Sequence, residues 1–128
     1  MKSYRLPFAT ILLLQDNLAE VIIDEGILID EVIVDTYHDF LLNNLIAPFS
    51  LLINKKNCYS YTFEAQRMIG NLKEIYLTAV VVNSYGALMS VRTLIEINEN
   101  KHWNIELFQD REMALEWIYS FNSYSRIV

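Results

Sequence analysis

The chain contains 128 residues, of which 53% are hydrophobic and 20% charged, and its formal charge is −6. This composition is typical of one folded domain and excludes a disordered chain, and every apolar run is far shorter than the roughly 20 residues that cross a bilayer. The first 50 residues hold eight acids and two bases, which argues against nucleic acid as a partner. We therefore expect a single domain over residues 1–128, without membrane insertion and without nucleic acid binding.

The single cysteine and the N-terminal sequence indicate the compartment. Cys58 is the only cysteine, so no internal disulfide can form, and a solitary thiol fits a reducing environment. The apolar stretch near the N-terminus leads into Gln15-Asp16-Asn17 without a small-residue cleavage site, which argues against a secretory signal. These features predict a cytoplasmic protein.

Two β-rich segments open the chain, at residues 8–14 and 18–24, with a short polar connection between them. This arrangement predicts an antiparallel hairpin. The second segment has apolar residues on both of its alternating faces, so the pattern leaves its inward face open. After Gly26, a stripe at helical spacing predicts a helix that Asp30 caps and Pro48 ends, formed by Val34, Tyr37, Leu41 and Leu45.

Three further strand and helix units follow in alternation. Residues 49–54 predict a short buried strand, and residues 76–82 predict a strand at the centre of a parallel sheet. Residues 103–107 alternate as a half-buried strand. The intervening helices are indicated by apolar stripes at helical spacing, and the residues that support them are Ala65, Met68, Ile69 and Leu72; Leu88, Val91, Leu94 and Ile95; and Ala114, Trp117, Ile118 and Phe121.

This order, ββαβαβαβα, predicts an α/β fold. An N-terminal antiparallel β-hairpin is followed by βα units, which form a mixed, mostly parallel sheet with helices packed on it. Crossovers that all step in one direction place their helices on one face of the sheet. Because Val80, Val81 and Val82 put apolar side chains on both faces, we expect either a helix that crosses to the second face or another molecule, such as a second copy in a homodimer, that covers it.

The element order, the opening hairpin and the ending at residues 107–118 together resemble a STAS-like domain. The ending places an acid-capped helix with the sequence Ala-Leu-Glu-Trp after a strand, and the similarity covers residues 8 to about 121. The STAS-like fold is that of bacterial anti-sigma-factor antagonists, and the variant group that this chain resembles is often described as SpoIIAA-like. The resemblance implies a regulatory module that binds a protein partner and is not an enzyme.

The same resemblance implies a phosphorylation site in the loop before the second helix. Members of the family carry Asp-Ser-Ser/Thr-Gly there, and a kinase-like partner phosphorylates a serine at the helix N-terminus. The corresponding loop here, residues 57–63, offers Ser60 and Thr62 but lacks the aspartate and the glycine. Both hydroxyls also suit a helix cap, the role that we favour for them.

We find no motif for catalysis, for a metal or for a cofactor. Three scattered glycines cannot build a phosphate-binding loop, and His38 and His102 lack metal-ligand spacing and are interpreted as surface residues. Cys58 has no neighbouring base in the sequence and is interpreted as a small packed residue. The only local basic pair, Lys55-Lys56, is interpreted as the solvated end of a loop.

Four side chains fall in loops at the predicted carboxyl ends of parallel strands, where open α/β sheets bind ligands and partners. They are Tyr59, Tyr61, Ser84 and Tyr85. Tyrosine combines apolar area with a hydrogen-bonding tip, so these loops predict a non-enzymatic module that binds a protein partner there. The alternative is a small-molecule or lipid carrier, and an enzyme that uses Cys58 ranks third.

Overall fold

The computed structural model describes residues 1–99 and 103–121. Within these ranges the chain forms eight strands and four helices. The strands are β1 (Lys2–Leu6), β2 (Ala9–Gln15), β3 (Leu18–Ile23), β4 (Leu28–Ile29), β5 (Phe49–Lys55), β6 (Ser60–Tyr61), β7 (Ile75–Val82) and β8 (Ile105–Phe108). The helices are α1 (Glu31–Asn44), α2 (Phe63–Met68), α3 (Tyr85–Ile97) and α4 (Arg111–Tyr119).

Six of the strands form one mixed sheet in the order β1-β2-β3-β5-β7-β8. Strands β1, β2 and β3 are antiparallel neighbours, whereas β3, β5, β7 and β8 run parallel. The predicted α/β class, its N-terminal antiparallel hairpin and its mostly parallel sheet are therefore confirmed. The remaining two strands form a separate parallel ribbon, in which Leu28 pairs with Ser60 and Ile29 pairs with Tyr61.

Strand β1 and the β4–β6 ribbon were not predicted from the sequence. Strand β1 forms the edge of the sheet, and its Tyr4 ring packs edge to face against Phe40 of α1 at a centroid distance of 5.2 Å. On the opposite side of the strand, Arg5 forms a bidentate ion pair with Asp24 and donates to the Thr10 hydroxyl. The alternation of Tyr4 inward and Arg5 outward is that of a strand with one buried face.

The two faces of the sheet are covered by different helices. Helices α1, α2 and α3 pack on the face that presents Val21, Leu51 and Val80. Helix α4 crosses to the opposite face, where Ala114 and Ile118 pack on the strand residues Leu18, Leu52, Leu77, Ala79 and Val81. Of the two alternatives expected for the second face, the structure shows the first, because a helix of the same chain covers the parallel strands there.

A buried ion pair joins α4 to the sheet. Glu20 of β3 points to the α4 side, where its side chain is 4% exposed. Arg111, the first residue of α4, binds both carboxylate oxygens, with a closest distance of 2.8 Å from Nη2 to Oε1. The Asn54 side chain of β5 donates to the same carboxylate, so three elements meet at one buried charge.

Helices α1, α2 and α4 begin where the sequence predicts them, whereas α3 begins at Tyr85, a residue that was predicted to lie in a loop. The side chains of Asp30, Thr62, Ser84 and Asp110 each accept a hydrogen bond from a backbone N–H in the first turn of the helix that they precede. Helix α2 is shorter than its apolar stripe predicts, because it ends at Met68 and the chain turns away at Gly70.

Candidate functional site

An apolar cavity lies between the sheet, helices α1 and α3, and the segment that follows α2. Its volume is about 50 Å³, and its wall includes strand residues Val21, Leu51 and Val80 together with Leu94 of α3. The β4–β6 ribbon adds Ile29 and Tyr61 to this wall. The crossover connections therefore leave a space over the middle of the parallel strands that is lined almost entirely by carbon.

Lys55 brings an amine to this apolar wall. It is the last residue of β5, and because side chains alternate along a strand it follows Phe49, Leu51 and Ile53 onto the cavity side. Only 4% of the residue is exposed. Its Nζ atom has no hydrogen-bond partner in the described part of the chain.

Tyrosine rings surround the amine. Nζ of Lys55 lies 3.8 Å from the centroid of the Tyr59 ring and 5.6 Å from that of the Tyr61 ring. The two rings contact each other edge to face, with centroids 5.7 Å apart. A cation over an aromatic face is stabilised by the ring quadrupole, but this contact supplies no oxygen for the three N–H donors of the ammonium.

Burial shifts the pKa values of the groups around this amine. It lowers the pKa of Lys55 to about 8, because removal from water disfavours the charged form. Burial also raises the pKa of Tyr61 to about 12, and burial together with the adjacent Tyr61 raises the pKa of Tyr59 well above its usual value. At pH 7 the site therefore holds one cation among neutral phenols.

A second cleft adjoins the cavity at the carboxyl ends of β5 and β7, and we call it the polar cleft because most of the residues that line it are polar. It has a volume of about 170 Å³, and its walls include Lys56, Asn83 and Ser84. Lys55 and Tyr59 line both the cavity and this cleft. The buried amine thus lies at the boundary between an apolar interior and the edge of the sheet where ligands bind in open α/β folds.

The four predicted binding residues occupy two different environments. Tyr59 and Tyr61 are half-buried and line the cavity. Ser84 caps α3 by accepting a hydrogen bond from the N–H of Ala87, and Tyr85 beside it is 76% exposed. The structure therefore brings Tyr59 and Tyr61 together around Lys55, and it places Tyr85 on the outer surface.

The two predicted phosphorylation candidates differ in exposure. Ser60 is exposed on β6, where its N–H donates to the carbonyl of Ile27. Thr62 is half-buried, and its hydroxyl accepts a hydrogen bond from the N–H of Ala65 at 3.2 Å. The predicted capping role of Thr62 is confirmed, and modification of either hydroxyl stays a prediction.

Two interpretations of single residues are wrong. Cys58 is exposed rather than packed, because the β5–β6 connection turns it outward while its N–H donates to the Glu25 side chain. His38 is half-buried rather than a surface residue, and its Nε2 donates to the carbonyl of Ile69 at 2.9 Å. His102 lies outside the described residues.

Lys55 is the residue of the candidate site that sequence reasoning missed. We interpreted the Lys55-Lys56 pair as solvated, but only Lys56 is exposed. The signal was present in the alternation of β5, in which Lys55 continues the inward series of Phe49, Leu51 and Ile53. Because lysine is almost never fully buried in proteins, this pattern was not interpreted as an inward lysine.

Comparison with known proteins adds no relative of this chain. No family model, no curated protein and no solved structure matches it. The resemblance to STAS-like domains therefore stays a prediction. Among the described residues, no helix has the length and apolar character needed to cross a membrane, and no group of three or more histidine, cysteine, aspartate or glutamate side chains could hold a metal ion.

Proposed function

We propose that this domain is a non-enzymatic binding module for a small, largely apolar molecule. The observation that supports this function is the apolar cavity whose wall includes Lys55, Tyr59 and Tyr61, with the Lys55 amine packed against the two rings. Small-molecule sites typically combine an apolar lining with a few polar groups that orient the ligand. Perturbed pKa values cluster at such sites as well.

The size of the cavity limits the ligand. A volume of about 50 Å³ corresponds to roughly four water-sized positions at about 10–15 Å³ each. Long lipid chains would require the helices to move apart, so we favour short organic molecules. This proposal develops the carrier alternative of the sequence analysis, and it is supported by the inward position of Tyr59 and Tyr61.

A titration with two four-carbon probes, n-butanol and sodium butanoate, tests this function. We expect at least one probe to shift the backbone amide signals of cavity residues such as Val80 and Leu94 in ¹H–¹⁵N NMR spectra. The Val91→Phe variant should bind neither probe, because Val91 is 3% exposed on the cavity wall and a larger ring there fills the space.

Val32→Phe is the matched control. Val32 is 72% exposed on α1, so this variant should bind the probes as the wild type does. Failure of both probes to bind the wild type, or unchanged binding by Val91→Phe, would remove the proposed function.

Binding of a protein partner at the strand-end loops is a second candidate, and the exposure of Tyr85 favours it. Tyr85 is 76% exposed at the first residue of α3, beside the polar cleft. Exposed tyrosines are enriched at protein interfaces. If the loops bind a partner, Tyr85→Ala should abolish co-purification of that partner while leaving the melting temperature of the domain unchanged. Met113→Ala, on the exposed surface of α4, is the control and should leave co-purification intact.

A further inference from the structure

We propose that Lys55 makes this cavity a site for a small organic carboxylate, whose anionic group is bound by Nζ and whose apolar body lies against the sheet. This inference rests on the proposed function and adds the chemical class of the ligand. It is based on the position of one amine relative to an apolar wall and to two phenol rings.

The first support is the hydrogen-bonding deficit of the amine. Nζ of Lys55 is buried and has no acceptor in the described part of the chain, although an ammonium group has three donors. No ion pair of the described residues includes Lys55. Buried charges in proteins are normally paired and hydrogen-bonded, and a ligand carboxylate offers two acceptor oxygens together with the opposite charge.

The second support is the charge of the surroundings. Tyr59 and Tyr61 flank the amine and stay neutral at pH 7, so the site carries a single positive charge. The Tyr59 hydroxyl donates to Tyr61, and the Tyr61 hydroxyl can donate a hydrogen bond to an anion. One cation with one neutral donor matches a monoanion, whereas a dianionic phosphate would remain uncompensated at this depth.

The third support is the apolar remainder of the cavity. Beyond the amine and the phenols, the wall is built from side chains such as Val21, Leu51, Val80 and Leu94. Such a wall suits the hydrocarbon part of a short organic acid. A ligand with a charge at one end and carbon at the other therefore satisfies both halves of the site.

Paired affinity measurements test this inference. The wild-type protein should bind sodium butanoate at least about tenfold more tightly than n-butanol at pH 7, because a charge-assisted hydrogen bond to a buried cation adds that much selectivity. In Lys55→Met the preference should fall to near unity while the affinity for n-butanol is retained. Methionine has a similar length and no charge, so the variant should fold.

Lys56→Met is the matched control, because Lys56 is the exposed neighbour in the sequence, and it should keep the wild-type preference. Equal affinities of the wild type for the two probes would overturn the inference and leave the proposed function standing. A preference that persists in Lys55→Met, or that disappears in Lys56→Met, would also overturn it. If neither probe binds, the proposed function fails as well.

Discussion

Lys55 continues the inward-facing series Phe49, Leu51 and Ile53 of β5, at a position where an apolar side chain would pack without an electrostatic penalty. Its amine is buried beside Tyr59 and makes no hydrogen bond within the described chain. Such a group lowers the free energy of unfolding rather than raising it. Packing alone therefore does not explain a lysine here, and this is why we propose a binding role for it.

The lowered pKa of Lys55, about 8 in the folded protein, predicts a specific dependence of stability on pH. Below pH 8 the Lys55 amine is protonated in both the folded and the unfolded protein, and the folded protein bears the full cost of burying the charge. As the pH rises from 8 toward 10.5, the folded state has released the proton while the unfolded state still binds it. The free energy of unfolding therefore increases.

Between pH 7 and pH 9.5, we expect the free energy of unfolding of the wild type to increase by about 2 kcal/mol relative to that of Lys55→Met. Urea unfolding of both proteins at the two pH values measures this difference, and the comparison cancels the groups that the two proteins share. If the free energy of unfolding depends on pH in the same way in both proteins, burial does not lower the pKa of the Lys55 amine, and the prediction is wrong.

Gly70 makes a close contact that only a residue without a side chain permits. A Cβ atom at this position would lie 2.7 Å from two ring atoms of Trp103. We expect Gly70→Ala to lower the free energy of unfolding by about 1–3 kcal/mol, because the ring or the backbone must move.

Gly86→Ala is the control, because a Cβ there meets nothing within 4 Å and alanine favours the helix by up to about 1 kcal/mol. Equal melting temperatures for the two variants would contradict this account.

At the level of elements, local patterns predicted most of the fold. Helical spacing located α1, and Asp30, Thr62 and Asp110 were recognised as caps because capping depends on residues three or four positions apart. The β4–β6 ribbon was missed because two residues per strand carry no periodicity. Its partners, Leu28 and Ser60, are separated in the sequence by α1 and β5.

The side of the sheet that α4 covers could not be predicted from periodicity either. It depends on contacts between residues far apart in the sequence, among them the packing of Ala114 and Ile118 on the sheet and the ion pair between Glu20 and Arg111. The candidate site could not be predicted from periodicity for the same reason. The sequence pattern singled out Tyr59 and Tyr61 only as loop residues. Their inward orientation follows from the pairing of β6 with β4, which lies beyond any local signal.

The pairing of Glu20 with Arg111 makes a prediction about the docking of α4. Arg111→Met should lower the free energy of unfolding by about 2 kcal/mol, because it leaves a buried carboxylate without its cation, although partial exposure of Arg111 moderates the loss. Glu20→Met combined with Arg111→Met should recover most of it. Urea unfolding of the single and double variants measures this coupling, and additive effects would argue against it.

At the scale of the whole molecule, the two helical layers have different roles. Helix α4 packs directly on Leu52, Ala79 and Val81 and completes an apolar core. On the other face, α1 to α3 leave the cavity that Lys55 and the β4–β6 ribbon border. Self-association through the remaining surface stays a prediction, and light scattering at several concentrations would measure it.

The most direct test of the account is the position of bound butanoate in the wild-type protein. Intermolecular NOEs should connect its methyl protons with the methyl groups of Leu51, Val80 and Leu94, and should place its carboxylate end near the rings of Tyr59 and Tyr61. NOEs to Ala87 and Ser84 in the polar cleft instead, or no NOEs to the protein at all, would contradict a carboxylate site built around the buried amine of Lys55.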